Sequence, residues 1–548
     1  MARTSSRDAA TLAATFASVV AIETFARRHD ITFAFVLHQH GALAAIEWAA
    51  LLLASLAAVL WLFLAQDRRV ELTSFVALAS SFIVSFSFRP ITGSGITVTT
   101  ARLLLGEGGY GAEALAFHGP RAVLWSSFGV ALMFLLRLVL RRSIAVRTRR
   151  PATALAVGWL GVLSVGSVFL PLPSVVPSFL GVPTAFAEAL AHPPREVVRQ
   201  PVTASRGPAL ATHVVLLVDE SIRGDLLSLA RPEVGTTPWL SARRGEIADF
   251  GIASSATNCS ATSNATLLVG MRPSELPDRD GLVRSKPTIF DHAARAGYRT
   301  TLIDGQATDD RPPWALTPRD VAALDRWRVL RQERPDLPVS EVDRALLEAV
   351  VEATSSAEPS FVYATKRGAH YRYKSVLAPA ARRDAELQAA ALGFNELPIT
   401  GTYLAALKHA VDAFFSELLP RLEGRDVLVV YTSDHGESLL EDGTSRTHCM
   451  EGLAAPEQGR VPLFVWHGLG ASSPLFRRFA DAARAAHHRA RSFEVFPTLL
   501  VCMGYDEREV AADYGAILLD GAAPRRERAF FTGDILAKGA WWWNRIER

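Results

Sequence analysis

Five apolar stretches crowd the first 170 residues of this chain, roughly 11–27, 43–65, 73–88, 121–140 and 153–170. Each comes near the ~20 residues a helix needs to cross a bilayer. Backbone polar groups find no partners in hydrocarbon, so a membrane admits such stretches only as helices. A cleavable signal peptide explains the first stretch poorly, because further hydrophobic stretches follow it and no small-residue cleavage site precedes a soluble domain. The expectation is an N-terminal bundle of about five transmembrane helices over residues 1–170.

Basic residues set the orientation. Arg68 and Arg69 follow the second stretch, and Arg141, Arg142, Arg147, Arg149 and Arg150 follow the fourth, which makes those loops cytoplasmic. The amino terminus then lies inside, with the 89–120 loop and everything beyond residue 170 outside. Arg27, Arg28 and His29 oppose this arrangement and are outnumbered. The alternative has six spans, with 31–44 (Ile31, Phe33, Phe35, Val36, Leu37) as part of a re-entrant or interfacial segment. Glu47 and Arg137 sit within or near the ends of spans, where a charge is costly; Arg137 can also reach the headgroups beside Arg141. Residues 171–212 carry Pro171, Pro173, Pro177, Pro183, Pro193 and Pro194 around the amphipathic run Phe186 to Leu190, the pattern of a linker on the membrane surface.

At 548 residues the chain exceeds one core, so at least two domains are expected. A net charge of +3 gives no nucleic-acid surface. Cys259, Cys449 and Cys502 cannot form a disulfide framework and lack the paired spacing of a structural zinc site. A Cys259–Cys449 bridge is open in an oxidising compartment; buried free thiols are the simpler reading.

From His213 the pattern changes to short β-rich runs at 214–218, 300–303, 361–364, 427–431 and 462–466, separated by helical stretches. That alternation predicts an α/β domain over 213–548 with a mostly parallel sheet, whose ligands gather at the carboxyl ends of the strands. Asp219-Glu220-Ser221 follows the first run, Lys366-Arg367-Gly368-Ala369-His370 the third, and Ser433-Asp434-His435-Gly436-Glu437 the fourth. Carboxylate and imidazole delivered together suit zinc, so Glu220, Asp434 and His435 are the candidate ligands; any one Asp-His pair alone would read as a surface turn. The segment 254–270 (SSATNCSATSNATLLVG) reads as a polar loop entering a helix, where unpaired N–H groups favour a phosphate. Metal coordination would make a hydroxyl there nucleophilic. Without the ligands, Ser260, Thr262 and Ser263 would merely cap the helix.

These residues, in this order, resemble the alkaline phosphatase and sulfatase superfamily, and more closely its membrane-bound phosphoethanolamine transferases of the lipid A-modifying, colistin-resistance type. Val214 to Asp225 (VVLLVDESIRGD) is similar to the opening strand whose following Glu binds zinc, and Thr237-Pro238-Trp239-Leu240 resembles the Thr-Pro-x-Leu that comes next. Tyr431 to Leu439 (YTSDHGESL) resembles the metal-binding turn, which implies Asp434 and His435 as ligands. Thr402 to Phe415 and Phe496-Pro497-Thr498-Leu499-Leu500 resemble later family segments. The sulfatase nucleophile pattern fits with Ser260 first, since Ser263, Leu267 and Gly270 then fall in register, and Ser260 also joins the metal. Counting from the upstream Cys selects Ser263 instead, and Thr262 is the third choice. His448 resembles a histidine that contacts the phosphoryl group or a second metal, and His370 one from a Gly-x-His-Gly-Pro turn, here with Tyr371 and Arg372 in place of Gly-Pro.

The resemblance implies transfer of phosphoethanolamine from phosphatidylethanolamine to a cell-envelope acceptor, lipid A or another lipid or glycan, through a phospho-serine or phospho-threonine intermediate. It implies one or two Zn2+ ions in preference to Mn2+ or Mg2+, and a monomer in the bacterial inner membrane with its catalytic domain in the periplasm. Arg223, Lys366, His370, His448 and Asn264 are the expected substrate-binding groups. The disulfides usual in the lipid A enzymes are missing, which implies a more distant branch. A phosphoglycerol transferase of the same superfamily and an inactive lipid-binding regulator are the competing readings; a hydrolytic sulfatase is disfavoured because its usual precursor is Cys where Ser260 stands.

Overall fold

The structure, a computed structural model, describes residues 6–26, 32–92, 101, 108–143, 150–169, 178–191, 198–383, 398–439, 441, 447–450, 452–520, 527–533, 535 and 540–547. Arg27, Arg28, His29, Arg147, Arg149, Pro171, Pro173, Pro177, Pro193 and Pro194 lie outside them.

Among the described residues, helices α1 (Ser6–Ala26), α2 (Thr32–Phe63), α3 (Arg68–Thr92), α4 (Gly108–Ser143), α5 (Arg150–Phe169) and α6 (Ser178–Ala191) precede the sheet-bearing part. Each expected apolar stretch falls on one of the first five. Among the described residues, two helical segments have the length and apolarity to cross a membrane, Thr32–Phe63 and Val123–Arg142, so the expected five spans reduce to two on that measure. Val19, Leu56, Phe63, Met133, Leu140 and Leu160 bring α1, α2, α4 and α5 onto one core. Leu43, Leu155 and Val162 point outward, each about 70% exposed or more, as a lipid-facing surface requires. Gly41 (φ 85°) breaks α2 and sets residues 32–40 apart from the apolar 42–63.

Glu47 is exposed. Arg137 does more than reach for headgroups: its Nε donates to Glu71 Oε1 at 2.5 Å, and Arg141 pairs with Glu71 Oε2 at 3.1 Å. Glu71 is buried, and this polar contact pins α3 to α4, a role that only the paired carboxylate reveals. The run Phe186 to Leu190 lies on α6, which packs against α3 and α5.

The soluble part is built on a seven-stranded sheet in the order β2-β7-β6-β1-β5-β3-β4. The strands are β1 (His213–Asp219), β2 (Ile247–Ser254), β3 (Arg299–Asp304), β4 (Arg326–Val329), β5 (Ser360–Thr365), β6 (Val427–Ser433) and β7 (Arg460–His467). The five expected runs are β1, β3, β5, β6 and β7. β7 runs antiparallel to both neighbours, whereas β1, β3, β4, β5 and β6 are parallel. β1 is central and fully buried, and its side chains alternate: Val214, Leu216 and Val218 enter one core and Val215 and Leu217 the other. That period-two split on an unbroken apolar run is what helices on both faces of a sheet demand. A separate hairpin, β8 (Ala529–Thr532) with β9 (Trp542–Arg545), closes the chain.

Cys259 and Cys449 are disulfide-bonded across 190 residues, against the simpler expectation of free thiols. Cys502 is free and buried. Sequence spacing carries no information on such a pairing; the fold brings the two Cα atoms to 4.6 Å.

Candidate active site and metal centre

Three chain crossings converge at one sheet edge. β1 and β6 are neighbours with Asp219 opposite Ser433, and the Asp434 N–H donates to the Asp219 carbonyl at 2.9 Å. The residues that follow, Glu220 and Asp434-His435, are therefore delivered side by side. Ser221 takes a left-handed backbone (φ 61°), a strained choice for a non-glycine residue, and its Oγ donates to Glu220 Oε1 at 2.7 Å. The turn after β5 packs onto the same place: Gly368 (φ 56°) lies so close to Asp219 and Glu220 that a β-carbon has no room.

Ligand atoms of Glu220, Asp434 and His435 lie within 4.8 Å of one another. His435 Nε2 is 3.3 Å from Glu220 Oε1 and 3.9 Å from Asp434 Oδ1. His435 Nδ1 donates to the Gly436 carbonyl at 2.7 Å, which fixes the tautomer and leaves Nε2 as a lone-pair donor. Asp434 Oδ1 accepts from the N–H groups of Ser221 and His435, while the buried Oδ2 has no hydrogen-bond partner among the described residues. Burial alone would lower His435, yet Asp434, Glu220 and Glu437 outweigh it and raise the imidazole to about 10. Burial and Glu220 push Asp434 well above the usual carboxylate range, whereas Glu220, despite burial, is held low by His435. Two carboxylates and an imidazole this close in a dry site demand a positive charge, and an oxygen-nitrogen donor set with an orphaned carboxylate oxygen fits a divalent cation of the zinc type.

The nucleophile candidates separate clearly. Ser260 opens helix α7 (Ser260–Val269), with Cys259 at its cap. Its Oγ donates to Glu220 Oε2 at 2.9 Å and lies 3.2 Å from His435 Nε2. Ser263 is buried and bonds the Thr257 carbonyl and hydroxyl; Thr262 bonds Thr257 and the Cys259 carbonyl. The structure thus brings Ser260 to Glu220 and His435, and gives Ser263 and Thr262 to the inside of the loop.

His448 stacks on His435 with ring centroids 4.5 Å apart, and His370 lies 5.9 Å from His448. Glu220, His370 and His448 form a second metal-capable group, and His435, Glu437 and His448 a third. Glu437 received no role from the sequence, though it lies three residues after Asp434. It is fully buried, accepts from Tyr373 Oη at 2.6 Å and pairs with His448 Nδ1 at 2.9 Å. Burial and Arg367 lower His370 to about 4, which keeps it neutral.

Three of the expected substrate groups are buried with fixed partners. Lys366 is fully buried and committed to Asp219 and the Ala410 carbonyl. Asn264 is buried, donating to the Ser260 carbonyl and accepting from Tyr363 Oη. Arg223 is buried in pairs with Asp225 and Glu441. Residue type suggested charge for a phosphate; burial with fixed partners makes all three supports of the scaffold.

The sulfatase family matches residues 212–505, more than half of the chain. This chain belongs to the sulfatase family. The sulfatase domain's relatives include Kdo(2)-lipid A phosphoethanolamine 7''-transferase of Escherichia coli (strain K12), 24% identical over 308 residues, 54% of this chain and 52% of that protein. The chain thus spans about half the length of that relative. Among solved structures, this sulfatase-family chain is similar to the integral membrane lipooligosaccharide phosphoethanolamine transferase A from Neisseria meningitidis: TM-score 0.60, 20% identity, 93% of this chain and 99% of that chain. It is also similar to the C-terminal periplasmic domain of EcEptC from Escherichia coli in complex with Zn: TM-score 0.52, 18% identity, 64% of this chain and 97% of that chain. At these identities the likeness carries the fold, and with transferase A it extends through the helical part.

Proposed function

We propose that this protein transfers phosphoethanolamine from phosphatidylethanolamine to a lipid or glycan acceptor of the bacterial envelope, lipid A being the favoured one, through a covalent intermediate on Ser260. The observation that carries the reading is Ser260 Oγ within hydrogen-bonding distance of both Glu220 and His435. The names of the relatives support the transferred group, and the zinc-bound domain among the structural neighbours supports zinc at Glu220, Asp434, His435 and Ser260. Residues 1–170 act as the membrane domain, 171–212 as an interfacial linker and 213–548 as the catalytic domain, held at the outer face of the inner membrane by about five spans, as a monomer.

A zinc ion bound there supplies Lewis acidity that lowers the hydroxyl pKa. Ser260 Oγ loses its proton to water and forms a bond to the donor phosphorus while the bond from phosphorus to the diacylglycerol oxygen breaks, and that oxygen takes a proton from water to leave as a hydroxyl. An acceptor hydroxyl or phosphate then takes the group from Ser260, freeing the serine. His448, oriented by Glu437, and neutral His370 move protons at the mouth of the site. The first turn of α7 offers N–H groups to the phosphate oxygens.

The test is mass spectrometry of the full-length protein after exposure to phosphatidylethanolamine. A phosphoethanolamine adduct on Ser260, in the reduced peptide spanning 254–270, is expected; absence of an adduct on any hydroxyl there overturns the covalent mechanism. Donor lipid labelled in the headgroup separates phosphoethanolamine from phosphoglycerol transfer.

A further inference from the structure

The β8–β9 hairpin touches both the α2 segment around Phe35 and two loops of the candidate site. On one side Trp541 packs on Phe35 with ring centroids 5.7 Å apart, and Trp542 lies 5.0 Å from His38. Phe35, Val36, Ala45 and Trp48 form one apolar cluster with Ala540 and Trp541, spanning the Gly41 break in α2. Phe33 and Leu37 on the same segment are exposed, and the segment runs directly into a helix long and apolar enough to cross a membrane. Tryptophan beside such a boundary is the side chain that settles at a bilayer interface.

On its other side the hairpin holds two of the loops at the reaction centre. Trp541 stacks on Phe531, 5.9 Å between centroids, and the Phe531 N–H donates to the Ala256 carbonyl at 2.9 Å, beside a strand-like bridge to Thr257. Ser260 is three residues further on. Thr532 Oγ1 and Asn544 Nδ2 both donate to the Gly452 carbonyl, and Asn544 Oδ1 accepts from the Ala454 N–H. That loop carries His448 and the Cys449 disulfide. Phe530 and Ile546 close on Gly459 until no β-carbon fits, and the Gly459 carbonyl accepts from the Ser255 N–H.

We infer that the β8–β9 hairpin is a positioning element seated on the bilayer interface: it ties the Ser260 and His448 loops to the Phe35–Trp48 segment so that the cleft keeps a fixed register to the lipid surface. This inference rests on the proposed lipid substrate. Phe35 and Trp541 act through the hairpin and touch no reacting atom.

The test uses full-length protein in phosphatidylethanolamine vesicles, with Phe35→Ala, Trp541→Ala and Trp541→Phe. Turnover of vesicle phosphatidylethanolamine is expected to fall at least tenfold in the two alanine variants. Turnover of a water-soluble aryl ester of phosphoethanolamine stays within twofold in Phe35→Ala, and Trp541→Phe restores the lipid activity. Hydrogen exchange of the same samples reads the coupling without activity: Phe35→Ala speeds exchange at 254–258 and 452–454, which Phe35 does not contact. Parallel loss on both substrates in Phe35→Ala, or unchanged exchange at those loops, overturns the inference. A wild-type protein that turns over neither ester instead sinks the proposed function, and the exchange result still decides the hairpin's role.

Discussion

Lys366 Nζ lies 2.6 Å from Asp219 Oδ2, with both side chains fully withdrawn from solvent. Asp219 Oδ2 also accepts from Tyr431 Oη, and its Oδ1 accepts from the Glu220 N–H, so the pair holds the backbone that presents Glu220. A π-helical turn, Lys408–Ala413, supplies the Ala410 carbonyl that takes a second ammonium proton. Burial raises Asp219 to about 6 even with Lys366 beside it.

Lys366→Met leaves that carboxylate without its partner. Removing one half of a buried pair costs about 3–5 kcal/mol, and zinc affinity falls with it because Glu220 loses its brace. Thermal unfolding and chelator competition measure the two effects; pairing Lys366→Met with Asp219→Asn recovers most of the stability, and a metal affinity unchanged in Lys366→Met would contradict the bracing role.

Chelation should destabilise the protein. Glu220, Asp434 and His435 repel or protonate one another without a cation, and a ligand at about a thousandfold excess over its Kd adds roughly 4 kcal/mol. Zinc therefore raises the unfolding temperature of wild type and leaves that of Asp434→Asn nearly unmoved.

Ser260→Ala is expected to lower turnover by about a thousandfold or more while zinc still binds through the remaining ligands. Ser263→Ala, which deletes bonds to Thr257, costs about 1–3 kcal/mol of stability and spares the adduct. Adduct mass and unfolding midpoints for the two variants separate the roles.

Reduction of Cys259–Cys449 opens a loop of 190 residues, worth about 5 kcal/mol in chain-entropy terms. Because the bridge joins the residue before Ser260 to the residue after His448, Cys259→Ser with Cys449→Ser should reduce turnover more than its stability loss explains, measured well below the unfolding temperature.

His292 sets an acid limb. Burial, with Arg295 adding to it, lowers the ring to about 4 from an ordinary 6.5. The unfolded chain takes the proton first, so the contribution is complete above about pH 6.5 and lost as pH falls toward 4, a difference of order 3 kcal/mol. His292→Phe should flatten the dependence of thermal stability on pH between those values.

Much of the site could be read along the chain because its parts are local. Glu220 and Asp434-His435 each follow an apolar run that alternates with helix, so strand ends and their ligands are named together. The missed elements lack that signal: β2 (IADFGIAS) has its apolar run interrupted by Asp249 and Gly251, and β4 is four residues with two arginines. Strand direction is not written in residue type, so the run 462–466 marks β7 as a strand and leaves its reversal unmarked.

The apolar N-terminal stretches, five strands of the sheet, and the candidate acidic, imidazole and hydroxyl groups are legible along the chain, because periodicity and local motifs need only neighbouring residues. Only tertiary contacts show which hydroxyl meets those groups, which cysteines pair, that Lys366, Arg223 and Asn264 are buried with fixed partners, and that a tryptophan hairpin reaches back to Phe35. Those outcomes depend on which distant atoms share a few ångströms and how much water is left between them, and no spacing along a chain encodes either.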